Sequence, residues 1–339
     1  MRIRLAMLCL TAACGGASPT KSPAVETFTV STLLLPGAGP DGVAMDYLLY
    51  NPRTRTVWAP AGNTGAVDVV EVATNKITQI TGFATQDIEV RGQHRHVGPS
   101  AAALGPTGTV YIGSRGDRSV CAVDEVALTK RACATLDAMP DGIAYVAKTA
   151  EVWVTTPRDQ SIRILDATSL AQKARLAFEG APEGFAADNV RGRFYTNLED
   201  KDQTLAIDLT THATVATWLP HCGEEGPHGL RLADPEGFLL VACDDRITAL
   251  DVAHGTTLGS VATGDGIDDF DYDPTSRRIY AGGAKAATLT IASLAPTGAL
   301  TALTTVATRP GARNGVVTAT GQIFLSHAKA SELVVVSPH

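Results

Sequence analysis

The feature that most restricts the fold of this chain is an internal repeat. A short β-rich run built around one aromatic residue recurs at intervals of roughly 40–53 residues along the 339-residue sequence. A repeat of this length, with several strand-length apolar runs in each copy, is typical of small sheets arranged one after another around an axis. The aromatic positions are Trp58, Tyr111, Trp153, Tyr195, Tyr280 and Phe324, and Leu240 fills the place between Tyr195 and Tyr280.

A second landmark follows each aromatic run by about a dozen residues and is usually acidic. It opens a turn such as Asp166-Ala-Thr-Ser, in which a short side-chain oxygen accepts backbone N–H groups. We therefore assign a structural role to these positions. They are Glu71, Asp124, Asp166, Asp208, Asp251, Ser293 and Ser337.

Each repeat opens with a short motif that leads into small and apolar residues such as Val43-Ala44-Met45. These residues suit an inner strand crowded at the axis of a ring. Each unit then contains four antiparallel strands, namely the inner strand, the aromatic strand, a third strand such as Ile162–Leu165 and an outer strand such as Arg175–Phe178. The openings are Pro40-Asp41-Gly42, Gly98-Pro99-Ser100, Pro140-Asp141-Gly142, Pro182-Glu183-Gly184, Pro227-His228-Gly229, Ile267-Asp268-Asp269 and Arg313-Asn314-Gly315.

The last repeat has room for only three strands, whereas Glu26–Leu35 precedes the first repeat as an extra strand. Pairing the two closes the ring and removes an exposed sheet edge. We therefore predict an all-β fold over residues 26–339: a seven-bladed β-propeller of four-stranded antiparallel blades, closed by pairing the N-terminal strand with the C-terminal blade. An eighth blade would have to lie between Ile77 and Val97, and that stretch is too poor in strand-forming residues, so we interpret it as an inserted loop.

Three segments resemble the repeat of a known family. Pro140–Glu179 is similar to a YVTN-type repeat in its P-D-G opening, its V-W-V-T-T strand and its I-R-I-L-D-A-T-S turn, and Val69–Ile80 and Asp271–Gly283 resemble it too. The resemblance implies the propeller fold and an extracytoplasmic setting. It implies no single activity, because the family includes binding scaffolds and related propellers include lactonases and dehydrogenase subunits.

The N-terminus has the pattern of an export signal. Two arginines precede the apolar run Leu5–Leu10, and small residues lead to Cys14. Residues 1–13 resemble a bacterial lipoprotein signal peptide, which makes Cys14 the lipidated residue and residues 14–25 a flexible tether. A plain secretory signal is the alternative, because Thr11 weakens the lipoprotein match. We expect an exported protein, lipid-anchored to a bacterial membrane and facing the periplasm or the cell exterior.

Four further cysteines agree with export. An even number in an oxidising compartment predicts two disulfides. Cys121 and Cys133 lie on successive strands around one turn, and Cys222 and Cys243 lie near strand ends on one face of the predicted ring. Four buried thiols are the alternative interpretation.

Charge and motifs exclude several classes of protein. A formal net charge of −7 argues against general nucleic-acid binding, because an acidic surface repels a phosphate backbone. The sequence lacks a P-loop, a dinucleotide fingerprint, a nucleophile elbow and a haem attachment motif. We expect a monomer that is attached to the membrane by its N-terminal lipid and binds an unidentified small molecule or protein partner.

One residue of each opening is predicted to lie near the mouth of the central channel, namely Asp41, Ser100, Asp141, Glu183, His228, Asp268 and Asn314. Carboxylates, an amide and a histidine that converge there suit Ca²⁺ or another divalent cation. The predicted metal set is Glu183, His228, Asp268 and Asn314. Related lactonase-like propellers place a metal at this point, where it polarises a carbonyl group. The alternative is that Pro-Asp-Gly forms a turn and binds nothing.

Two loops supply further candidates. Gln86–Gly98 carries His94 and His96, which point the same way on an extended segment and can share a metal or an anion, although a solvated polar loop is the alternative. Pro220–His228 places His221 beside Cys222 at the rim. The predicted ligand-binding residues are Asp41, His94, His96, Asp141 and His221. Other residues expected on this face, including Arg115 and Arg158, are too scattered to support a prediction.

The sequence favours a binding or scaffold protein that is not an enzyme and that uses the channel-mouth face. The alternative is a metal-dependent, lactonase-like hydrolase or lyase with its cation in the central channel. A redox-subunit role ranks third, because no cofactor attachment motif is present.

Overall fold

The computed structural model describes residues 26–37, 39–90 and 92–339 and consists of seven four-stranded antiparallel sheets and one hairpin. Each four-stranded sheet is one blade of a ring, which confirms the predicted all-β, seven-bladed propeller. Within these ranges the helical segments are four single 3₁₀ turns, each joining the second and third strands of a blade. They are Gly62–Thr64, Pro157–Asp159, Glu199–Lys201 and Ala328–Ala330.

The strands of each blade follow chain order from the channel outward. Blade 1 contains β2 (Leu49–Asn51), β3 (Thr56–Ala61), β4 (Ala66–Glu71) and β5 (Ile77–Ile80). Blade 2 contains β8 (Pro99–Leu104), β9 (Thr109–Ser114), β10 (Ser119–Asp124) and β11 (Lys130–Thr135). Blade 3 contains β12 (Ile143–Val146), β13 (Glu151–Thr156), β14 (Ser161–Asp166) and β15 (Gln172–Ala177). Blade 4 contains β16 (Pro182–Asp188), β17 (Arg193–Leu198), β18 (Gln203–Asp208) and β19 (Thr214–Trp218). Blade 5 contains β20 (Leu230–Ala233), β21 (Phe238–Ala242), β22 (Arg246–Asp251) and β23 (Thr257–Ala262). Blade 6 contains β24 (Phe270–Asp273), β25 (Arg278–Gly283), β26 (Thr288–Leu294) and β27 (Leu300–Ala307). Blade 7 combines β28 (Arg313–Val317), β29 (Ile323–His327) and β30 (Glu332–Pro338) with β1 (Phe28–Leu34), and the hairpin is β6 (Gln86–Val90) with β7 (Gln93–Val97).

The recurring aromatic residue lies in the second strand of its blade and is buried there, as the repeat predicts. Successive residues of that strand face opposite sides of the sheet, so each blade fills the space toward both neighbours. Trp153, for example, is fully buried, and its ring stacks on Phe194 of the next blade with the ring centroids 4.6 Å apart. Removing each such side chain from water contributes on the order of 2–3 kcal/mol, which holds adjacent blades together.

The acidic residue that ends the third strand has the structural role expected of it. The Oδ1 atom of Asp208 accepts the backbone N–H groups of Thr210 and Thr211 at 3.0 and 2.9 Å. Because these bonds favour the ionised carboxyl group, they lower the pKa of Asp208 to about 2. Asp124 and Asp166 make equivalent turns, so this landmark belongs to the fold and not to the site.

The ring closes as predicted, through antiparallel pairing of β1 with β30. Phe28 pairs with Pro338 at one end of the two strands, and Leu34 pairs with Glu332 at the other. The N-terminal strand thus supplies the outer strand of blade 7 and covers an edge that would otherwise expose unpaired backbone groups.

The inner part of blade 1 differs from the prediction. Val43 and Met45 are buried and Ala44 is exposed, but these residues do not form a strand, and β2 begins only at Leu49. The backbone of this segment bonds to other blades: the N–H of Val43 donates to Ala328 of blade 7, and that of Tyr47 donates to Ser100 of blade 2. The segment therefore bonds to the two neighbouring blades and not to the second strand of its own blade.

The stretch interpreted as an inserted loop is a regular hairpin, since β6 and β7 pair over five residues each. Among the glycines of the openings, only Gly42 has a positive φ, of 82°. A Cβ atom on Gly184 would instead overlap the backbone oxygen of His228, and one on Gly142 would overlap the ring of Phe185. These glycines let neighbouring blades approach closely.

Both predicted disulfides are present, Cys121–Cys133 and Cys222–Cys243, with Cα atoms 4.0 and 5.1 Å apart. The first joins cross-strand partners of β10 and β11. The two disulfides indicate an oxidising, extracytoplasmic environment. Cys14, the predicted signal peptide and the predicted tether lie outside the described residues. In the part of the chain that is described, no helix is both long and apolar enough to cross a bilayer.

Candidate functional site

The loops that enter the inner strands and the turns that join second and third strands meet on one side of the ring, which we call the mouth face. A cavity of about 380 Å³ opens there at the end of the central channel, and we call it the channel mouth. Charged side chains from several blades and from the hairpin line it. They are Asp46, Asp141, Glu183, Glu199, Asp268, Arg95, Arg115, Arg158 and Arg313.

The centre of the channel mouth is a network around Arg115. Its guanidinium group donates to Asp46 at 2.6 Å and also to Asp141. Burial raises the pKa of Asp46 to about 7 in spite of Arg115, and the charges of Asp141 and Asp268 raise it further. The charge of Arg115 is therefore neutralised within the protein by Asp46 and Asp141.

Asp268 is held on the opposite side of the network. The amide nitrogen of the buried Asn314 donates to Asp268 at 2.7 Å and to Asp46 at 3.3 Å, while the amide oxygen accepts the backbone N–H of Asp269 at 3.0 Å. Arg313 lies 3.4 Å from Asp268. Asn314 thus connects two carboxylates of the mouth and positions them.

A second acidic group lies on blade 4. Burial raises the pKa of Glu183 well above its ordinary value, and the charge of Asp141 and the contact with Glu199 act in the same direction. Glu199 lies 3.7 Å from the Nδ1 atom of His228, and that buried nitrogen has no hydrogen-bond partner within residues 26–37, 39–90 and 92–339. This group holds a proton or attracts a cation, because the carboxyl groups repel each other when both are ionised.

A third group is positive. Arg95 comes from β7 of the hairpin, and Arg158 comes from the 3₁₀ turn of blade 3. Burial lowers the pKa of Arg158, and repulsion by Arg115 and Arg95 lowers it further. Within residues 26–37, 39–90 and 92–339, neither Arg95 nor Arg158 forms an ion pair. These two cations are therefore available to a ligand.

The structure brings together only part of the predicted site. Asp141, Glu183 and Asp268 line the channel mouth as expected, and Asn314 and His228 lie directly behind them. Asp41 and His221 are exposed and do not line the cavity. Asp41 is displaced because the irregular segment of blade 1 turns Asp46 toward the axis instead, while His221 lies on the outer part of the loop next to Cys222.

His94 and His96 point away from the channel mouth. Neighbouring residues of a strand face opposite sides, so Arg95 faces the cavity and both histidines face solvent. The Nδ1 atom of His96 lies 2.7 Å from Asp87 of the paired strand. The expected common direction of the histidines agrees with the register, but they are not part of the lining.

Several lining residues escaped the sequence analysis. Asp46 and Glu199 had no periodic signal, because Asp46 follows an irregular segment and Glu199 lies in a turn. Arg115 and Arg158 were judged too scattered, yet both reach the cavity from turns that join second and third strands. Comparing these turns across the repeats for charged residues would have found all but Asp46.

The predicted metal set fits poorly. The amide oxygen of Asn314 already accepts the N–H of Asp269, and Arg313 lies beside Asp268. Among the described residues, no three His, Cys, Asp or Glu side chains are arranged to hold a metal ion. Arginine side chains accompany the carboxylates here, which is unlike the all-oxygen surroundings that Ca²⁺ prefers.

A second cavity of about 300 Å³ lies further along the channel, toward the other side of the ring, and we call it the lower cavity. Its lining includes Tyr47, Tyr145, Phe185 and Arg231 among small apolar residues. The rings of Tyr47 and Phe185 are 5.8 Å apart. Arg231 donates to Asp269 at 2.7 Å and lies 3.5 Å from Asp271, so its charge is fully engaged.

Comparison of the sequence with protein-family models and with curated proteins gives no match. Comparison of the fold with solved structures gives many. A chain from the crystal structure of the mitotic checkpoint complex is 14% identical, with a TM-score of 0.72, and the match covers 97% of this chain and 98% of that chain. A chain of Kuenenia stuttgartiensis hydrazine synthase is 13% identical, with a TM-score of 0.70 and coverage of 89% and 98%. At this identity the similarity supports the propeller fold alone, and membership of the YVTN-repeat family stays a prediction.

Proposed function

We propose that this chain is an exported, lipid-anchored binding protein of the YVTN-repeat type, which holds a small polar ligand at the channel mouth. The observation that carries this proposal is the pair of cations, Arg95 and Arg158, that line a cavity of about 380 Å³ without an ion pair in the described part of the chain. Cavities of this size are typical of small-molecule sites.

The rest of the chain is consistent with this role. A propeller is suited to binding, since its loops converge on one face while the blades stay rigid. The two disulfides support export, and the lipoprotein-like signal ending at Cys14 supports a membrane anchor. The same face would also accept a protein partner, but a concave, charged cavity favours a small molecule.

The test is a thermal-shift screen of the purified protein against small organic anions, zwitterions and polyols. We expect a compound that raises the melting temperature of the wild type and has no effect on Arg158→Gln. The matched control is Arg131→Gln, on the outer strand of blade 2, which should respond like the wild type. A panel without any such compound, or a shift that survives Arg158→Gln and Glu183→Gln, would contradict the proposal.

A metal-dependent hydrolase or lyase is the second candidate. The observation in its favour is the buried Nδ1 atom of His228, which lies beside Glu199 and has no hydrogen-bond partner in the described part of the chain. Metal content measured on protein purified without chelator, together with the melting temperature before and after EDTA, separates the two. A stoichiometric divalent ion whose removal lowers the melting temperature, with turnover of a lactone, would favour the enzyme.

A further inference from the structure

The positive wall of the channel mouth is the first part of the argument. Arg95 and Arg158 line the cavity from the hairpin and from blade 3, and the charge of Arg95 contributes to the lowered pKa of Arg158. Two guanidinium groups that share a space and have no carboxylate partner bind one anionic group well, because each offers parallel N–H donors. This wall therefore suits a carboxylate or a similar anion.

The negative wall lies on the neighbouring blade 4. The side chains of Glu183 and Glu199 both line the cavity, and Glu199 contributes to the raised pKa of Glu183. The Nδ1 atom of His228, which has no hydrogen-bond partner among the described residues, lies 3.7 Å from Glu199. A cation that carries N–H donors would satisfy both carboxyl groups at once. This wall therefore suits an ammonium group.

The residues between these walls are already paired. Arg115 binds Asp46 and Asp141, and Asn314 and Arg313 engage Asp268. The free charge of the cavity is therefore divided into a positive side at the hairpin and blade 3 and a negative side at blade 4. A ligand with a single charge would satisfy one side and leave the other without a partner.

The cavity also restricts the type of cation. Among the described residues, its uncharged lining consists of Val90, Met139, Pro140, Pro157 and Ala181 and contains no aromatic ring. Quaternary ammonium groups are recognised mainly by aromatic faces, whereas primary and secondary ammonium groups donate hydrogen bonds to carboxylates. The lining therefore favours a cation with N–H groups.

We infer that the channel mouth binds a small zwitterion, with its anionic group on Arg95 and Arg158 and its primary or secondary ammonium group on Glu183 and Glu199. This inference rests on the proposed binding function and specifies the ligand class of the same site. The ligand is bound across the boundary between blades 3 and 4.

Isothermal titration calorimetry with the purified chain tests the inference. The probes are the unbranched amino acids from glycine to 6-aminohexanoate, each with its N-acetyl, methyl ester and N-trimethyl derivatives. We expect at least one amino acid to bind at least tenfold more tightly than all three of its derivatives. Equal binding of the N-acetyl compound or of the ester would overturn the inference.

Two variants assign the ends of the ligand. Arg158→Gln should remove the preference over the methyl ester but keep the preference over the N-acetyl compound, and Glu183→Gln should do the reverse. Arg158→Lys, which keeps the charge, should retain part of the preference over the ester. Variants that weaken every probe equally would contradict the assignment, and circular dichroism establishes that each variant is folded.

The outcomes also separate this inference from the function on which it rests. If a simple anion or a polyol binds and Arg158→Gln abolishes its binding, the proposed binding function is supported and the inference of a zwitterionic ligand is wrong. If none of the amino acids and none of the compounds in the wider screen binds, both are wrong.

Discussion

The two ends of the central channel use arginine in different ways. In the lower cavity, Arg231 contacts two carboxylates of blade 6, Asp269 and Asp271. At the channel mouth, Arg158 is exposed and forms no ion pair with the described residues. A paired and partly buried arginine contributes to the stability of the ring, whereas an arginine without a partner contributes little to it and remains available to a ligand. The difference thus separates an end of the channel where the arginine is paired from the end where we propose that a ligand binds.

The largest expected effect concerns the paired arginine. Arg231→Met should lower the free energy of unfolding by about 3 kcal/mol, because Asp269 and Asp271 lose the cation that compensates them. Urea unfolding followed by fluorescence measures this loss. Arg158→Met is the matched control and should change the free energy of unfolding by less than about 0.5 kcal/mol. Equal losses in the two variants would show that the two ends do not differ in this way.

A smaller effect is expected at the glycines of two neighbouring openings. Gly184→Ala should lower the free energy of unfolding by about 2 kcal/mol, because the new Cβ atom meets the backbone oxygen of His228, which cannot move alone. Gly142→Ala should cost only about half as much, because its obstacle is the ring of Phe185, which borders the lower cavity and can rotate. Thermal unfolding of the two variants side by side gives the comparison. A larger loss in Gly142→Ala would show that the lower cavity is the more rigid end.

The last prediction concerns the pH dependence of the channel mouth. Because the native state keeps the pKa of Asp46 near 7, against 3.8 for the ordinary group, the native state retains a proton that the unfolded chain loses between about pH 4 and 7. Stability should therefore fall as pH rises through this range. Asp46→Asn should remove most of that fall, because the amide side chain does not titrate. Denaturant unfolding at pH 4, 5.5 and 7 measures it, with the exposed Asp41→Asn as the control; an unchanged slope in Asp46→Asn would contradict the assignment.

The fold could be predicted because a propeller presents the same environment seven times. Trp58, Trp153 and Phe324 occupy equivalent buried positions, so each copy of the pattern supports the others. The closing strand followed from a missing partner in the last blade. Neither conclusion depended on any single residue.

The channel mouth could be predicted only in part, because the charged residues that line it do not recur at equivalent positions of each repeat. Asp141 and Glu183 were found through the openings, but Arg158 and Glu199 come from turns of unequal composition. Asp46 reaches the axis because the N–H groups of Val43 and Tyr47 bond to blades 7 and 2, which is a tertiary effect. Sequence repetition therefore identifies what the blades share and not what distinguishes the mouth.

The strand that closes the ring also fixes the side on which the chain enters the propeller. β1 runs from Phe28, beside Pro338, to Leu34, beside the end of the turn that precedes β30, so the chain enters the outer strand of blade 7 on the side opposite the mouth face. With the lipid proposed at Cys14, the twelve residues from 14 to 25 reach at most roughly 40 Å. The bilayer would lie beneath the lower side of the ring. The charged cavity would then open outward, toward the solution from which its ligand arrives.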